Sequence, residues 1–152
     1  MKANSTPDPA SLRQRALGYL ARREHSRFDL ACKLERAGFE PEAIGPVLDE
    51  FEAKNWLSDK RFAESWVADH RARAGCIKLA YDLRQHGISD TLIEIVLHDN
   101  RDSELERAIA VWNKKFGSAP TAAVEKARQI VFLQRRGFAP DTIRQVIKGG
   151  EI

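Results

Sequence analysis

Apolar positions along the chain follow a helical period, and the pattern occurs three times. Three glycines align at offsets of 49 and 50 residues, and each is preceded by a leucine at a distance of four residues. Downstream of each glycine the apolar residues fall at i, i+3, i+4 and i+7, which is one face of a helix rather than the alternation of a strand. The aligned residues are Leu34, Leu83 and Leu133; Gly38, Gly87 and Gly137; Ile44, Ile93 and Ile143; and Leu48, Leu97 and Ile147.

Stop and start signals divide each repeat into three helices. The aligned glycines can adopt the left-handed conformation that ends a helix, so each should close a second helix. The third helices should begin near Pro41, Asp90 and Pro140, since proline and acidic residues suit a first turn. A further apolar stripe upstream of each pair predicts a first helix. Start signals agree with this division, and they are Ser26 with Asp29, Ser58 with Asp59, and Asp102 or Ser103.

The pattern therefore predicts an all-α protein of three tandem three-helix repeats. We place these repeats at residues 11–57, 58–101 and 102–152, after a disordered N-terminal segment at residues 1–10. Units of this size bury little apolar surface alone, so neighbouring units should pack partly on one another in an elongated, possibly curved array. The stretch Gly117–Thr121 should be the most variable loop.

Composition narrows the classes of protein that remain. Of 152 residues, 43% are hydrophobic and 31% are charged, which is typical of a folded chain in water. No run approaches the roughly 20 apolar residues of a spanning helix, and the opening residues lack the apolar core of a secretion signal. The expected location is cytoplasmic. Cys32 and Cys76 cannot form a disulfide framework, and both are interpreted as structural.

No pattern of catalytic or metal-binding residues emerges. Phosphate-binding loops, dinucleotide-binding glycine motifs and nucleophile elbows are absent, and the histidines and cysteines lack the spacing of a zinc site. Clustered acids such as Asp49 and Glu52 are interpreted as a solvated helix face. The tryptophans, Trp56, Trp66 and Trp112, are interpreted as core anchors. The sequence predicts no enzyme, no cofactor and no metal.

Basic residues are the remaining candidates for function. The net charge is only +3, but residues 10–38 hold seven basic and three acidic side chains, whereas residues 39–59 hold one and six. This separation suggests a basic surface that could follow a phosphate backbone or an acidic protein groove. A solvated, salt-bridged face is the alternative for any single arginine. The candidate binding residues are Arg22, Arg23, Arg27, Lys33, Arg36, Lys60, Arg61, Arg71, Arg73, Lys78, Arg84, Lys126, Arg128, Arg135, Arg136, Arg144 and Lys148.

Several stretches together resemble the RecX family of bacterial regulators of the RecA recombinase. They occur in the family's order over about residues 12–148. Three departures affect the middle repeat, where Asn55 replaces a frequent glycine, Cys76 replaces a common proline, and Gln85-His86 is less basic than usual. The stretches are Ala16–Leu30 with Lys33-Leu34, Trp56–Ala63, Arg71 with Gly75, Leu83 with Gly87-Ile88, and Arg135–Phe138.

The resemblance implies a negative regulator that binds the RecA–DNA filament through the candidate basic residues. It implies inhibition of the ATPase, strand-exchange and coprotease activities of RecA, and hence a part in DNA repair, recombination and the SOS response. The partners would be the RecA filament and single- or double-stranded DNA without marked sequence preference, with no membrane, and the chain would be a monomer. A helical-repeat DNA-binding protein that acts independently of RecA is the alternative.

Overall fold

The computed structural model describes residues 8–149, and in that range every regular element is an α-helix. The helices follow one another in three groups of three, as the apolar pattern predicts. In chain order they are α1 (Pro9–Arg22), α2 (Arg27–Arg36), α3 (Pro41–Ala53), α4 (Asp59–His70), α5 (Cys76–Gln85), α6 (Asp90–Asp102), α7 (Glu104–Lys115), α8 (Ala123–Arg135) and α9 (Pro140–Gly149). We call α1–α3, α4–α6 and α7–α9 the first, second and third units.

The helix ends lie where the local chemistry of the sequence puts them. Gly38, Gly87 and Gly137 follow the second helix of each unit with φ of 100°, 78° and 84°, the left-handed region in which glycine carries no side-chain penalty. The hydroxyls of Ser26 and Ser58 accept from backbone N–H groups three residues on, and so cap α2 and α4. Both predictions are confirmed.

Each unit encloses its own apolar core, built from the stripes that face inward on its three helices. The first core centres on residues such as Leu12 and Phe51, the second on Leu83 and Leu97, and the third on Phe138. Because each cluster draws on all three helices of its unit, the units are the packing modules of the fold.

Trp56 differs from the prediction that it anchors the core. Its side chain is 43% exposed, because it lies in the turn after α3, and Leu57 instead enters the core. The indole packs against Phe51 and lies under the ammonium of Lys54. Trp112 is buried as predicted.

Units meet at joints in which one unit supports the helix ends of the unit before it. At the joint of the first two units, the backbone N–H of Arg27 donates to the carboxylate of Asp59 over 2.8 Å. An alanine Cβ at Gly87 would lie 2.4 Å from the Cβ of Phe28, so this turn also touches α2. At the joint of the second and third units, Gly137 lies as close to Lys78 on α5. The repeated glycines therefore permit both a helix end and a close approach of the preceding unit.

The remaining differences concern loops and chain ends. The connection between α7 and α8, residues 116–122, is longer than the corresponding connections in the other units, as expected. Of the predicted disordered segment, residues 1–7 lie outside the described residues, and α1 begins at Pro9. The unit boundaries drawn from the sequence stay predictions.

Candidate interaction surface

The seventeen predicted cations do not share one continuous surface, because the fold distributes them over several helices and two joints. One subset is neutralised within the chain. Arg27 pairs with Asp49 and Glu52 of α3, and Arg61 pairs with Glu24 at 3.1 Å. These two arginines tie helices together, so the interpretation of Asp49 and Glu52 as a purely solvated face is wrong.

Other predicted cations form weaker or shorter-range pairs. Arg84 pairs with Asp90 at 3.0 Å, and Lys78 lies 3.6 Å from Asp82. Arg71 donates to the hydroxyl of Ser103 over 3.2 Å. Exposed pairs of this kind contribute about 0–1 kcal/mol, so these side chains can exchange partners at low cost.

A further subset has side chains that neither an ion pair nor a hydrogen bond engages within the described residues. Being exposed, they keep their full charge available to a partner. They are Arg22, Arg23, Lys60, Arg73, Arg128, Arg135 and Lys148.

The first groove lies at the joint of the first and second units and encloses about 450 Å³. Its cations are Arg23, Lys33 and Arg36, which are three of the predicted residues. The acids in its lining bring both signs of charge into the groove. The full lining is Arg23, Glu24, His25, Asp29, Lys33, Arg36, Phe62, Ser65, Trp66, Asp69, His70 and His86.

Aromatic rings form one wall of the first groove. Trp66 stacks on His70 with centroids 4.0 Å apart, and the ring of His86 lies 4.5 Å from Trp66 on another side. His86 also joins the units, because its Nδ1 lies 2.6 Å from the carboxylate of Asp29. The indole N–H of Trp66 is buried and meets no acceptor among the described residues. This wall is therefore both a joint and a partly polar surface.

Electrostatics in the first groove depend on a buried histidine. His25 is 3% exposed, its Nδ1 lies 3.1 Å from the carbonyl of Arg23, and its Nε2 lies 2.9 Å from the ammonium of Lys33. Nδ1 must donate to the carbonyl and Nε2 must accept from the ammonium, so the ring is neutral. Burial lowers the pKa of His25 and, together with the charge of Arg23, the pKa of Lys33. The ammonium of Lys33 also lies 5.1 Å above the ring of Tyr19.

The second groove lies at the joint of the second and third units and encloses about 480 Å³. Two of its cations, Arg73 and Arg136, were predicted. The others, Lys114 and Lys115, were not, although the positive charge of residues 107–120 was a signal for them. No acid lines this groove. Its lining is Ala72, Arg73, Ala110, Val111, Lys114, Lys115, Phe132 and Arg136.

Arg136 is held in place at this second groove. Its guanidinium lies 5.1 Å over the ring of Phe132, and Nη1 donates to the carbonyl of Arg73 over 3.2 Å. Stacking on an aromatic face leaves the edge of a guanidinium free for further hydrogen bonds. The groove thus presents fixed positive charge across a joint, which suits a phosphate or a carboxylate.

Other chemistry is not assembled within residues 8–149. No three His, Cys, Asp or Glu side chains there are placed to hold a metal ion together. Burial, and secondarily the charge of Glu104, raises the pKa of the Cys76 thiol, which makes this side chain a poor nucleophile. None of the helices described is long and apolar enough to cross a bilayer.

The repeat of three-helix units, each with its own core, matches three family models in chain order. The models of the first, second and third three-helix domains of RecX match residues 13–51, 58–97 and 102–147. The chain belongs to the RecX family. Resemblance to this family, expected from the sequence stretches, is confirmed over nearly the whole described chain.

Relatives within the RecX family are similar along their full length. Proteins described as regulatory protein RecX from Ralstonia nicotianae and Chromobacterium violaceum are 40% and 41% identical to this chain. The alignments cover 94% and 92% of this chain, and 90% and 91% of the relatives. The chain is accordingly a regulatory protein of the RecX type.

Solved RecX structures share the fold at low sequence identity. The crystal structure of RecX from Lactobacillus salivarius superimposes with a TM-score of 0.82 at 19% identity, covering 94% of this chain and 96% of that one. A second structure, of regulatory protein RecX, also gives 0.82 at 20% identity, covering 92% and 73%. Three tandem three-helix units are thus the architecture of this family, as predicted.

Proposed function

We propose that this chain is a negative regulator of RecA that binds the RecA–DNA filament. Binding inhibits the ATPase, strand-exchange and coprotease activities of the filament, so the chain acts in DNA repair, recombination and the SOS response. The chain acts as a cytoplasmic monomer, and the ATPase activity belongs to RecA. Single- or double-stranded DNA is an accessory partner, contacted without marked sequence preference. The observation that carries the proposal is the match of all three units to the RecX family.

The arrangement of charge supports a multivalent contact. The first and second grooves lie at successive joints, so one rigid chain presents two cationic sites to a repeating partner. Two weak sites on one scaffold give a much higher apparent affinity than either alone, provided that the partner's spacing allows both to engage. A filament of identical protomers offers such a spacing. Inhibition then follows from occupancy and requires no catalytic group in this chain.

Charge also supports a choice among the predicted residues. Arg23 and Arg36 in the first groove, and Arg73 in the second, have no acidic partner within the described residues. Arg27 and Arg61 are engaged in ion pairs between helices. We therefore assign filament contact chiefly to the groove cations, and a structural part to the paired arginines.

The direct experiment is a titration of RecA assembled on single-stranded DNA, with ATP hydrolysis as the readout. The chain should lower the rate as it approaches stoichiometric occupancy of the filament, and the variant Arg23→Glu with Arg36→Glu should require several-fold more protein. Lys54→Glu with Arg101→Glu is the matched control, since it makes the same change in charge beside the acidic third helices α3 and α6. An unchanged ATPase rate at an excess of the wild-type chain would refute the RecA assignment.

The alternative is a helical-repeat DNA-binding protein that acts independently of RecA. The acid-free lining of the second groove favours it, because such a surface would follow a phosphate backbone equally well. Affinity for naked duplex DNA equal to that for the filament, together with an unaffected ATPase, would select this alternative.

A further inference from the structure

A third groove, which we call the tail groove, lies on the third unit between α8 and α9 and encloses about 430 Å³. It is separate from the two cationic grooves described above. Its floor is apolar, because Ile143 and Ile147 line it beside Ile130, and its rim carries three cations. The lining is Lys126, Ile130, Gln134, Pro140, Ile143, Arg144, Ile147 and Lys148.

The internal repeat shows what covers the equivalent face in the other units. Lys126 stands seven residues before Leu133, as Cys76 and Arg27 stand seven residues before the aligned leucines of their units. In the second unit, the backbone N–H of Cys76 meets the carboxylate of Glu104, the first residue of α7. In the first unit, Arg27 meets Asp59, the first residue of α4, in the same way. Both faces are therefore covered by a helix that begins with an acid.

In the third unit the same position is built differently. Helix α8 begins three residues before Lys126, and the backbone N–H of Lys126 is bonded inside the helix to the carbonyl of Ala122. A carboxylate arriving there would therefore meet cationic side chains in place of a free backbone donor. Lys148 takes the repeat position that is Asp49 in the first unit, and Arg144 takes the position that is Glu94 in the second. The charge at this rim is thus the reverse of that on α3 and α6.

We propose that the tail groove binds an amphipathic helix of a partner protein that carries acidic residues in its first turn. The apolar floor takes the apolar stripe of that helix, and the cations of the rim take its acids and the favourable charge they carry near a helix N-terminus. The precedent lies in the chain itself, where acid-led helices cover the two equivalent faces. A second copy of this chain is a poorer occupant, because α1 begins with Pro9 and has no acid in its first turn.

The probe is a fluorescein-labelled, acetylated and amidated peptide that copies residues 102–113, the acid-led helix of the second joint. Its anisotropy is followed against the full chain. The control peptide carries Asp102→Asn, Glu104→Gln and Glu106→Gln. We expect saturable binding with a Kd below about 100 µM, and at least about fivefold weaker binding of the control peptide. Equal binding of both peptides, or no saturation up to about 1 mM, would overturn the proposal.

Matched variants of the chain locate the site. Arg144→Glu with Lys148→Glu reverses two exposed charges at the rim and should weaken the peptide at least about fivefold. Arg128→Glu with Arg135→Glu makes the same change on α8 outside the tail groove and should leave binding unchanged. Gln134→Trp fills the groove without altering charge and should also weaken binding. An equal loss in both charge-reversal variants, or no effect of Gln134→Trp, would contradict a defined groove.

Two further arms separate this inference from other readings. Displacement of the peptide by a naked DNA duplex, with the rim reversal weakening DNA to the same extent, would identify the groove as a phosphate site and overturn the proposal. The filament ATPase assay is run on the same variants. Intact inhibition of RecA with failed peptide binding would reject the tail-groove proposal alone, because the proposed function rests on the other two grooves.

Discussion

The carboxylate of Glu104 accepts a hydrogen bond from the backbone N–H of Cys76 over 2.7 Å, so the third unit caps the second helix of the unit before it. Two more N–H groups at that helix end, those of Gly75 and Ile77, donate to carbonyls of Arg136 and Gly137. Helix α5 has no side-chain cap of its own, since Gly75 occupies its N-cap position. Its unpaired backbone donors are therefore satisfied from the neighbouring unit, which couples the folding of the two units.

Replacing Glu104 with alanine tests this coupling. The side chain is 6% exposed, and its second oxygen accepts from the hydroxyl of Thr142 over 2.7 Å. Alanine leaves a buried N–H and a hydroxyl without an acceptor, which should lower the free energy of unfolding by about 1–3 kcal/mol. Urea denaturation followed by circular dichroism measures the change. Glu106→Ala, an exposed acid in the same turn, should alter stability by less than about 0.5 kcal/mol, and equal losses at both sites would contradict the capping role.

The sequence predicted the helices well because their signals are local. Proline, serine and glycine act within one turn, and an apolar stripe needs no knowledge of its partner, so the beginnings of α3, α6 and α9 could be placed to the residue. Glu104 shows the limit of this reasoning. In the sequence it is only one acid of a helix start, and its burial depends on α5 and α9, which are 28 and 38 residues away at their points of contact.

The candidate site was predicted less completely for the same physical reason. Charge density along the chain identifies cationic segments, but whether an arginine meets an acid depends on packing across units. Arg27 and Arg23 are four residues apart, yet one is paired with α3 and the other lines the first groove. Lys114 and Lys115 were missed because their partners in the second groove, Arg73 and Arg136, come from other helices.

Gly137→Ala should be markedly destabilising, for two independent reasons. Its φ of 84° is unfavourable for alanine by about 1–2 kcal/mol, and the new Cβ would lie 2.5 Å from the backbone nitrogen of Lys78. Overpacking against backbone adds about 1–3 kcal/mol, because a backbone atom cannot move aside as a side chain can. Gly117→Ala is the matched control, with a φ of 73° and its nearest neighbour at 3.4 Å. Urea denaturation should show the larger loss at Gly137, and equal losses would refute the close approach.

His25 should make stability depend on pH in the acidic range. Its pKa is lowered in the folded protein by burial, so the unfolded chain binds more protons as the pH falls below the ordinary histidine value of 6.5. The stability held above that pH is therefore lost progressively as the pH falls towards the lower pKa of the folded state. Protonation also removes the acceptor that Nε2 offers to Lys33. Urea denaturation from pH 7.5 to 5 measures the slope.

The variant His25→Gln isolates this contribution, because the amide can hydrogen bond but does not titrate. It should be less stable than the wild-type chain at pH 7.5 and should show a flatter dependence on pH below 6.5. His98→Gln is the control, since His98 is exposed. A slope that is unchanged in His25→Gln would mean that another group carries the pH dependence.

Charge reversal in the second groove should reveal whether its cations meet phosphate or protein. Arg73→Glu with Lys114→Glu removes two exposed cations from a lining that holds no acid, and neither side chain makes an ion pair within the described residues. If both meet phosphates, the slope of log K against log salt should flatten by about 0.9 for each contact, on naked duplex DNA as well as on filaments. If they meet acidic RecA surface, the loss should appear only on filaments. Arg84→Glu with Lys78→Glu reverses two cations that already have acidic partners on the chain, so it should change the slope less. Unchanged affinity and slope in the groove variant, with its circular dichroism intact, would show that these cations are merely solvated.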